Sequence, residues 1–414
     1  MKKIYAAPIA LLALILSACH SETTPPAAKA APANDAPQAA YAPMRGRQPS
    51  VPELTALGRA MFNEPSLSAS GRNACASCHN PANAYGPDNR LAAQLGGADG
   101  KTEGTRAAPS LRYMQNVPTF SEHFHEDDDD DSVDAGPTGG HNWDGRVQTA
   151  HEQALGPLLS PREMGNKDEA AVLARLKAGP LAAQFRQVFG ADIFDRPNAA
   201  LKGALMALEV FQESPADFYP YNSKYDAYLR KQTALSAQEL RGLNLFNDET
   251  RGNCASCHVS RIAPSGAFPQ FTDYGLINIG VPRNRKLAAN ADPAYYDLGL
   301  CGPERTDLKD HKEYCGSFKT PSLRNVALRK VYFHNGSFTR LEDVVRFYAT
   351  RDTAPQKWYA GGRKFDDLPA GLEGNVNMEA PFGGKPGGKP ALSERDIADI
   401  VAFLHTLTDG YAVK

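Results

Sequence analysis

Cys75-Ala76-Ser77-Cys78-His79 and, far downstream, Cys254-Ala255-Ser256-Cys257-His258 are the stretches on which the reading of this 414-residue chain turns. Cys-x-x-Cys-His is the attachment signature of c-type haem. Each thiol adds to one haem vinyl group, and the following His turns under the ring to bind iron through one nitrogen. A single copy also fits a thiol-redox pair or half a zinc site. Two identical copies, each closed by His, fit neither. The chain is therefore expected to carry two covalently bound haem c groups, one on Cys75, Cys78 and His79, the other on Cys254, Cys257 and His258. His79 and His258 are the expected iron ligands.

Upstream of each motif the sequence repeats itself. Leu57-Gly58-Arg59-Ala60-Met61-Phe62-Asn63 precedes the first, and Leu240-Arg241-Gly242-Leu243-Asn244-Leu245-Phe246-Asn247 the second. Both segments open on a capping box, Ser50 with Glu53 and Ser236 with Glu239. One amphipathic helix and a short loop should therefore lead into each haem. A third helix closes the chain. Ser393 is its expected N-cap with Asp396 at the third position, and Ile397, Ile400, Val401, Leu404 and Leu407 recur at helical spacing up to a stop at Gly410. Strand signals are few, while 31 Pro and 35 Gly punctuate the helices. The expected fold is mostly α: two cytochrome c-like haem domains, residues 49–225 and 226–414, with long ordered loops.

The N-terminus reads as an export signal over residues 1–19. Lys2 and Lys3 precede an apolar stretch, Ala6 to Leu16, too short to span a membrane with confidence. It ends in Leu16-Ser17-Ala18-Cys19, which resembles a bacterial lipobox and implies lipidation of Cys19. The expected location is the periplasm, with membrane attachment by the lipid anchor alone. Residues 20–48 are rich in Ala and Pro and read as a tether. Of the seven cysteines, Cys19 and the four haem cysteines leave Cys301 and Cys315. An oxidising compartment allows these two to pair, closing a loop of about 15 residues worth about 3 kcal/mol in the chain-entropy model. The net charge of −2 gives no argument for a nucleic-acid partner. The acidic run Glu126 to Asp131 reads as a solvated insertion loop, with docking of a cationic partner or loose Ca²⁺ binding as the alternative.

What a haem protein does depends on its open coordination positions. After His79 the next histidine is His123, and no Met lies between the motif and Met114. The first haem thus has no sixth ligand nearby in sequence. Beyond this point Trp143-Asp144-Gly145-Arg146 leads into Gln153-Ala154-Leu155-Gly156-Pro157 and on to Glu163-Met164. Phe318-Lys319-Thr320-Pro321-Ser322-Leu323-Arg324-Asn325-Val326 and Tyr332-Phe333-His334-Asn335-Gly336 follow. In this order, with the two haem motifs, these segments resemble the bacterial dihaem cytochrome c peroxidase and MauG superfamily over nearly all of the chain after about residue 50.

The resemblance implies roles. Glu163 matches a distal acid/base that moves a proton during O–O cleavage of H₂O₂, a role that typically contributes about 10²–10⁴-fold. Gln153 and Pro157 match the wall of that pocket, and Trp143 a bridge between the haems. Fourteen residues beyond His334 stands Tyr348, where the peroxidases have a Met ligand on the second iron and the MauG type has Tyr. An anionic phenolate favours oxidised iron where a thioether favours reduced iron. His334 is expected to hydrogen-bond near the second haem rather than to ligate it. Family members also hold Ca²⁺ between the haems, through an Asn side chain and two backbone carbonyls. The matching positions here are Ala107, Arg329 and Val331, and Ala cannot supply an oxygen ligand, which leaves a calcium site open to question. The histidine that some peroxidases release from the first iron on activation is absent, and Gly252 stands where the MauG type has an exit Trp. Three functions remain in view: reduction of H₂O₂ with a small c-type cytochrome or cupredoxin as donor, MauG-like oxidation of residues in a protein substrate, and electron transfer without catalysis.

Overall fold

Two close helix crossings organise the molecule, and each forms where a glycine removes the side chain that would hold the helices apart. The computed structural model describes residues 48–125 and 135–413; the expected export signal, Cys19, most of the tether and the acidic run lie outside these residues. The helices are α1 (Val51–Phe62), α2 (Cys75–Cys78), α3 (Ala150–Leu159), α4 (Glu169–Ala178), α5 (Ala182–Phe189), α6 (Pro197–Gln212), α7 (Pro215–Phe218), α8 (Lys224–Leu229), α9 (Ala237–Asn247), α10 (Leu341–Thr350) and α11 (Glu394–His405). Strands are confined to two-residue antiparallel pairs, β1 (Leu95–Gly96) with β2 (Thr102–Glu103) and β3 (Leu276–Ile277) with β4 (Phe318–Lys319). The chain is thus mostly helical, with loops carrying much of its length. Among the described residues no helix is long and apolar enough to cross a membrane.

Helix α1 crosses α6, and α9 crosses α11. A Cβ on Gly58 would lie 1.8 Å from the Ala207 carbonyl oxygen, and one on Gly242 would lie 2.0 Å from that of Asp399. The repeated sequence before each motif is therefore a repeated crossing. The first buries Leu54, Leu57, Met61 and Phe62 against Phe211 and Phe218; the second buries Leu243 and Phe246 against Ile400, Phe403 and Leu404. One apolar core draws on residues between Leu54 and Phe218, the other on residues between Tyr225 and Leu407, and both lie in one compact unit.

The expected capping boxes are present. Ser50 N–H donates to Glu53 at 3.0 Å, Ser236 N–H to Glu239 at 2.6 Å and Ser393 N–H to Asp396 at 2.8 Å. The closing helix buries Ile397, Ile400, Val401 and Leu404 as its periodicity predicts, but it ends at His405 rather than running on to Gly410. The Thr406 hydroxyl and N–H both turn back to the Phe403 carbonyl. This tightens the last turn and leaves Gly410, at φ +89°, in the exit loop. Cys301 and Cys315 form the expected disulfide, with Cα atoms 5.0 Å apart.

A polar seam joins early and late sequence. Asp226 and Arg324 form a buried bidentate pair at 2.9 and 3.0 Å, and the Arg324 guanidinium lies 4.4 Å over the Tyr113 ring. Asp409 accepts from Arg112 at 2.7 Å, Tyr113 at 2.6 Å and Asn325 at 2.7 Å.

Gly242→Ala separates crossing geometry from helix propensity. Propensity alone favours Ala by about 1 kcal/mol. The backbone carbonyl in the way should reverse the sign, leaving a net loss of about 1–3 kcal/mol in chemical denaturation of the holoprotein.

Candidate functional site

The single turn of α2 places Cys75 and Cys78 on one face and His79 just past it, with His79 N–H bonded to the Cys75 carbonyl at 2.9 Å. The second motif makes a 3₁₀ turn over Cys254–Ser256, and His258 N–H bonds to the Cys254 carbonyl at 2.8 Å. Both imidazoles are anchored in the same way. His79 Nδ1 lies 3.1 Å from the Tyr85 carbonyl and His258 Nδ1 lies 2.8 Å from that of Phe271. A carbonyl oxygen only accepts, so Nδ1 carries the proton and Nε2 keeps its lone pair for a metal. Burial pushes both histidines down to about 4, against the opposing pull of those carbonyls, so both rings are neutral at physiological pH.

None of the four motif cysteines is in a disulfide. Burial pushes Cys75 and Cys254 up to about 12 and Cys78 and Cys257 up to about 11. A thiol-redox pair needs the opposite, a stabilised thiolate.

Glu163 stands at the first motif. It follows α3 in a tight turn: its N–H donates to the Ser160 carbonyl at 3.1 Å, and its own carbonyl accepts from Gly97 N–H at 2.6 Å. Pro157, in the last turn of α3, accepts from Met164 N–H at 3.0 Å. The residue keeps much of its surface open, yet the protein around it desolvates the charge enough to raise its pKa. A Ser160 hydrogen bond and the Arg146 charge oppose that rise, and Glu304 adds to it. The Glu163 charge in turn adds to the burial that raises both Cys75 and Cys78, so the carboxylate is within electrostatic reach of the first motif. Gln153 Nε2 donates to Asn142 Oδ1 at 3.3 Å.

The second motif opens into a cavity of about 250 Å³ lined by Cys254, Cys257, His258, Trp143, His334 and Tyr348. Tyr348, on α10, stacks on Phe382 at 5.2 Å, and the Arg351 guanidinium lies 3.7 Å from the centroid of the Phe382 ring. Burial raises the Tyr348 phenol, and the thiols of Cys257 and Cys254 add to the rise. Trp143 Nε1 donates to the Ala107 carbonyl at 2.8 Å. His334 stacks on Phe318 at 3.5 Å, and its buried Nε2 has no hydrogen-bond partner. An apolar cavity, paired thiols, a neutral imidazole and an unpartnered ring nitrogen suit a haem with its polar edge groups. The residues present therefore fit haem c at the second motif, and the first motif repeats its paired thiols and neutral imidazole.

Sequence reading missed the carbonyls of Tyr85 and Phe271. It also missed Arg106, which joins Asp144 at 2.6 Å and Asp297 at 2.6 and 2.8 Å. Arg106 sits 5.5 Å over Phe318, the ring on which His334 stacks. Nothing local marks these residues, because their partners lie far away in sequence.

Comparison with known proteins bears on the family of the chain. The family described as di-haem cytochrome c peroxidase matches residues 52–234. The chain is 33% identical to the methylamine utilization protein MauG of Paracoccus denitrificans, over 87% of this chain and 90% of that protein. It is 28% identical to the cytochrome c peroxidase Ccp of Escherichia coli, over 89% of this chain and 61% of that one. Among solved structures, the diheme peroxidase BthA of Burkholderia thailandensis superposes with a TM-score of 0.78 at 38% identity, over 87% of each chain.

Burial works to raise Asp297, but the Arg106 charge and hydrogen bonds hold its pKa below the usual carboxylate range. Arg106→Met should cost about 3–5 kcal/mol at neutral pH by stranding buried carboxylates. A depressed carboxylate pKa stabilises the fold above its unfolded value and loses that stabilisation as pH falls through the folded one. The gap between parent and variant unfolding midpoints should therefore narrow as pH is lowered through the range where Asp297 protonates.

Proposed function

We propose that this chain, which belongs to the di-haem cytochrome c peroxidase and MauG family, reduces hydrogen peroxide at the haem held by His79, with electrons from a small c-type cytochrome or cupredoxin. Members of that family are peroxidase-type oxidoreductases, and this chain is one of them. The observation that carries the proposal is the placement of Glu163: a carboxyl group with a raised pKa, clamped through its backbone and in electrostatic reach of Cys75 and Cys78.

Held by Cys75, Cys78 and His79, a haem would supply the iron and the redox range that O–O cleavage needs. The chain's own residues do the proton work. The Glu163 carboxylate takes the proton from the peroxide oxygen that stays and delivers it to the oxygen that leaves as water. Overall, H₂O₂ takes up two protons and two electrons to give two waters. A raised pKa makes the carboxyl a better base in the first half of that transfer than an ordinary carboxylate. Gln153 and Pro157 wall the approach. No histidine lies between the motif and His123 to close the position.

Tyr348 is proposed as the ligand on the second haem and Trp143 as the bridge between the two, one haem to each of the regions 49–225 and 226–414. Axial ligands tune haem potentials over about 0.8 V, and half of that is roughly 9 kcal/mol for one electron. A phenolate there makes the second haem a weak store of reducing electrons and a good partner for sharing oxidising equivalents. That favours a second reading, in which the oxidant is spent on residues of a partner protein. The chain is proposed to act in the periplasm, tethered through a lipidated Cys19.

In stopped-flow mixing of the ferric holoprotein with H₂O₂, Glu163→Gln should slow the peroxide reaction at least tenfold. The parent rate should fall on the acid side, below the raised pKa of Glu163, and the variant should lack that limb. An equal rate with an unchanged pH profile removes Glu163 from the chemistry. Tyr348→Met should raise the potential of the second haem in a spectroelectrochemical titration; a curve that overlays the parent takes Tyr348 off the iron. Stoichiometric turnover with reduced small cytochrome supports the first reading, and oxidation of an exported protein without such turnover supports the second.

A further inference from the structure

Arg329 stands where the two sites meet. Its side chain lines the second cavity, and its charge adds to the burial that lowers His79 in the first. Its Nε donates to the Val331 carbonyl at 3.3 Å and its Nη2 to the Ala108 carbonyl at 3.1 Å. The Tyr332 hydroxyl donates to Arg329's own carbonyl at 3.1 Å. Burial lowers Arg329 to about 10, which leaves it charged at neutral pH. Its hydrogen bonds within the chain go to carbonyls, as does that of buried Lys319, whereas Arg106, Arg324 and Arg351 are each paired with carboxylates. A desolvated cation is costly, and its fixed field acts on whatever occupies the cavity it lines.

The same contacts decide the calcium question. Of the three positions the resemblance assigns to calcium, Ala107 has no side-chain oxygen, and its carbonyl already accepts from Trp143 Nε1. The Val331 carbonyl is taken by the guanidinium, and the Arg329 carbonyl by Tyr332. The donor set does not fit calcium.

We infer that the Arg329 guanidinium, rather than a metal ion, is the fixed positive charge between the two haem sites, binding the loop at Ala108 to the segment 329–332 and raising the reduction potential of both haems. The inference rests on the dihaem reading. It makes Arg329 a positioning residue: it touches the cavity wall and acts on the haems through its charge and through the loops it ties together.

The test uses the holoprotein. A pyridine haemochrome assay first counts haems; a value other than two per chain overturns the dihaem reading itself. With two haems bound, metal analysis after gel filtration should find no stoichiometric calcium. Spectroelectrochemical titrations in excess EGTA and in excess CaCl₂ should coincide. Arg329→Gln should shift each one-electron equilibrium at least tenfold toward the oxidised form, about 59 mV, while Arg329→Lys should keep most of the parent potential. Adding Ala107→Asn to Arg329→Gln should create a calcium response that the parent lacks. One retained calcium per parent chain, an EGTA-dependent potential, or an Arg329→Gln titration that matches the parent would each overturn the inference. The metal analysis and the EGTA comparison use the parent protein, so they decide the matter even if Arg329→Gln fails to fold.

Discussion

Each half of the molecule depends on one hydrogen bond, from the Nδ1–H of the motif histidine to the backbone carbonyl of an aromatic residue, Tyr85 or Phe271. Both aromatics sit at left-handed backbone angles, φ +55° and +56°. That conformation costs a bulky residue of order 1–3 kcal/mol and persists only where packing over-determines it. The packing is supplied by the helix crossings. Tyr85 lies 5.7 Å from Phe62 and 4.1 Å from Phe218; Phe271 lies 6.2 Å from Phe246 and 5.5 Å from Tyr225. Phe62 and Phe246 each stand four residues after the glycine at which their helix crosses its partner. The close crossing brings in the phenylalanine, the phenylalanine pins the strained residue, and the strained residue aims the carbonyl that orients the imidazole.

On this shared frame the two halves differ where the chemistry is decided. The first faces its motif with a carboxylate from a turn, held by backbone bonds on both sides. The second faces its motif with a phenol from helix α10, stacked on Phe382 and backed by Arg351. A turn allows a proton carrier to approach a small substrate, whereas a helical residue packed on both faces is held still. The proximal side is thus repeated while the opposite side diverges, and the proposed division between an oxidant site and an electron site rests on that divergence.

Local chemistry was legible in the sequence and distant chemistry was not. The haem motifs, the capping boxes at Ser50, Ser236 and Ser393, the apolar stripe of α11 and the disulfide all depend on residues close in the chain or on pairing by elimination. Gly58 and Gly242 stood inside the repeated segment, but nothing in their neighbours told that Ala207 and Asp399 would press against them. Tyr85 and Phe271 were illegible for a second reason: a left-handed aromatic defies its own propensity and follows only from the tertiary packing around it. The stop of α11 at His405 was misplaced because Gly410 is the more conspicuous signal, while the Thr406 hydroxyl that turns the chain is an ordinary one.

The ground between the two sites is crowded with charge, and its arrangement follows one rule. Arg106 is surrounded by carboxylates from Asp144 and Asp297, and Asp144 is shared in turn with Arg146 at 2.8 Å. Lys319, buried nearby, is pushed down to about 7 by desolvation, with Asp144 only partly restoring it, and it donates to the Gly140 carbonyl at 2.6 Å. Paired charges of this kind fix loops in place while their fields largely cancel. Lys319 and Arg329 depart from the rule, because the hydrogen bonds of both go to backbone carbonyls. On the proposed dihaem reading, a fixed charge at the junction would shift both potentials together and leave their difference to the proposed distal residues, a carboxylate at one site and a phenol at the other.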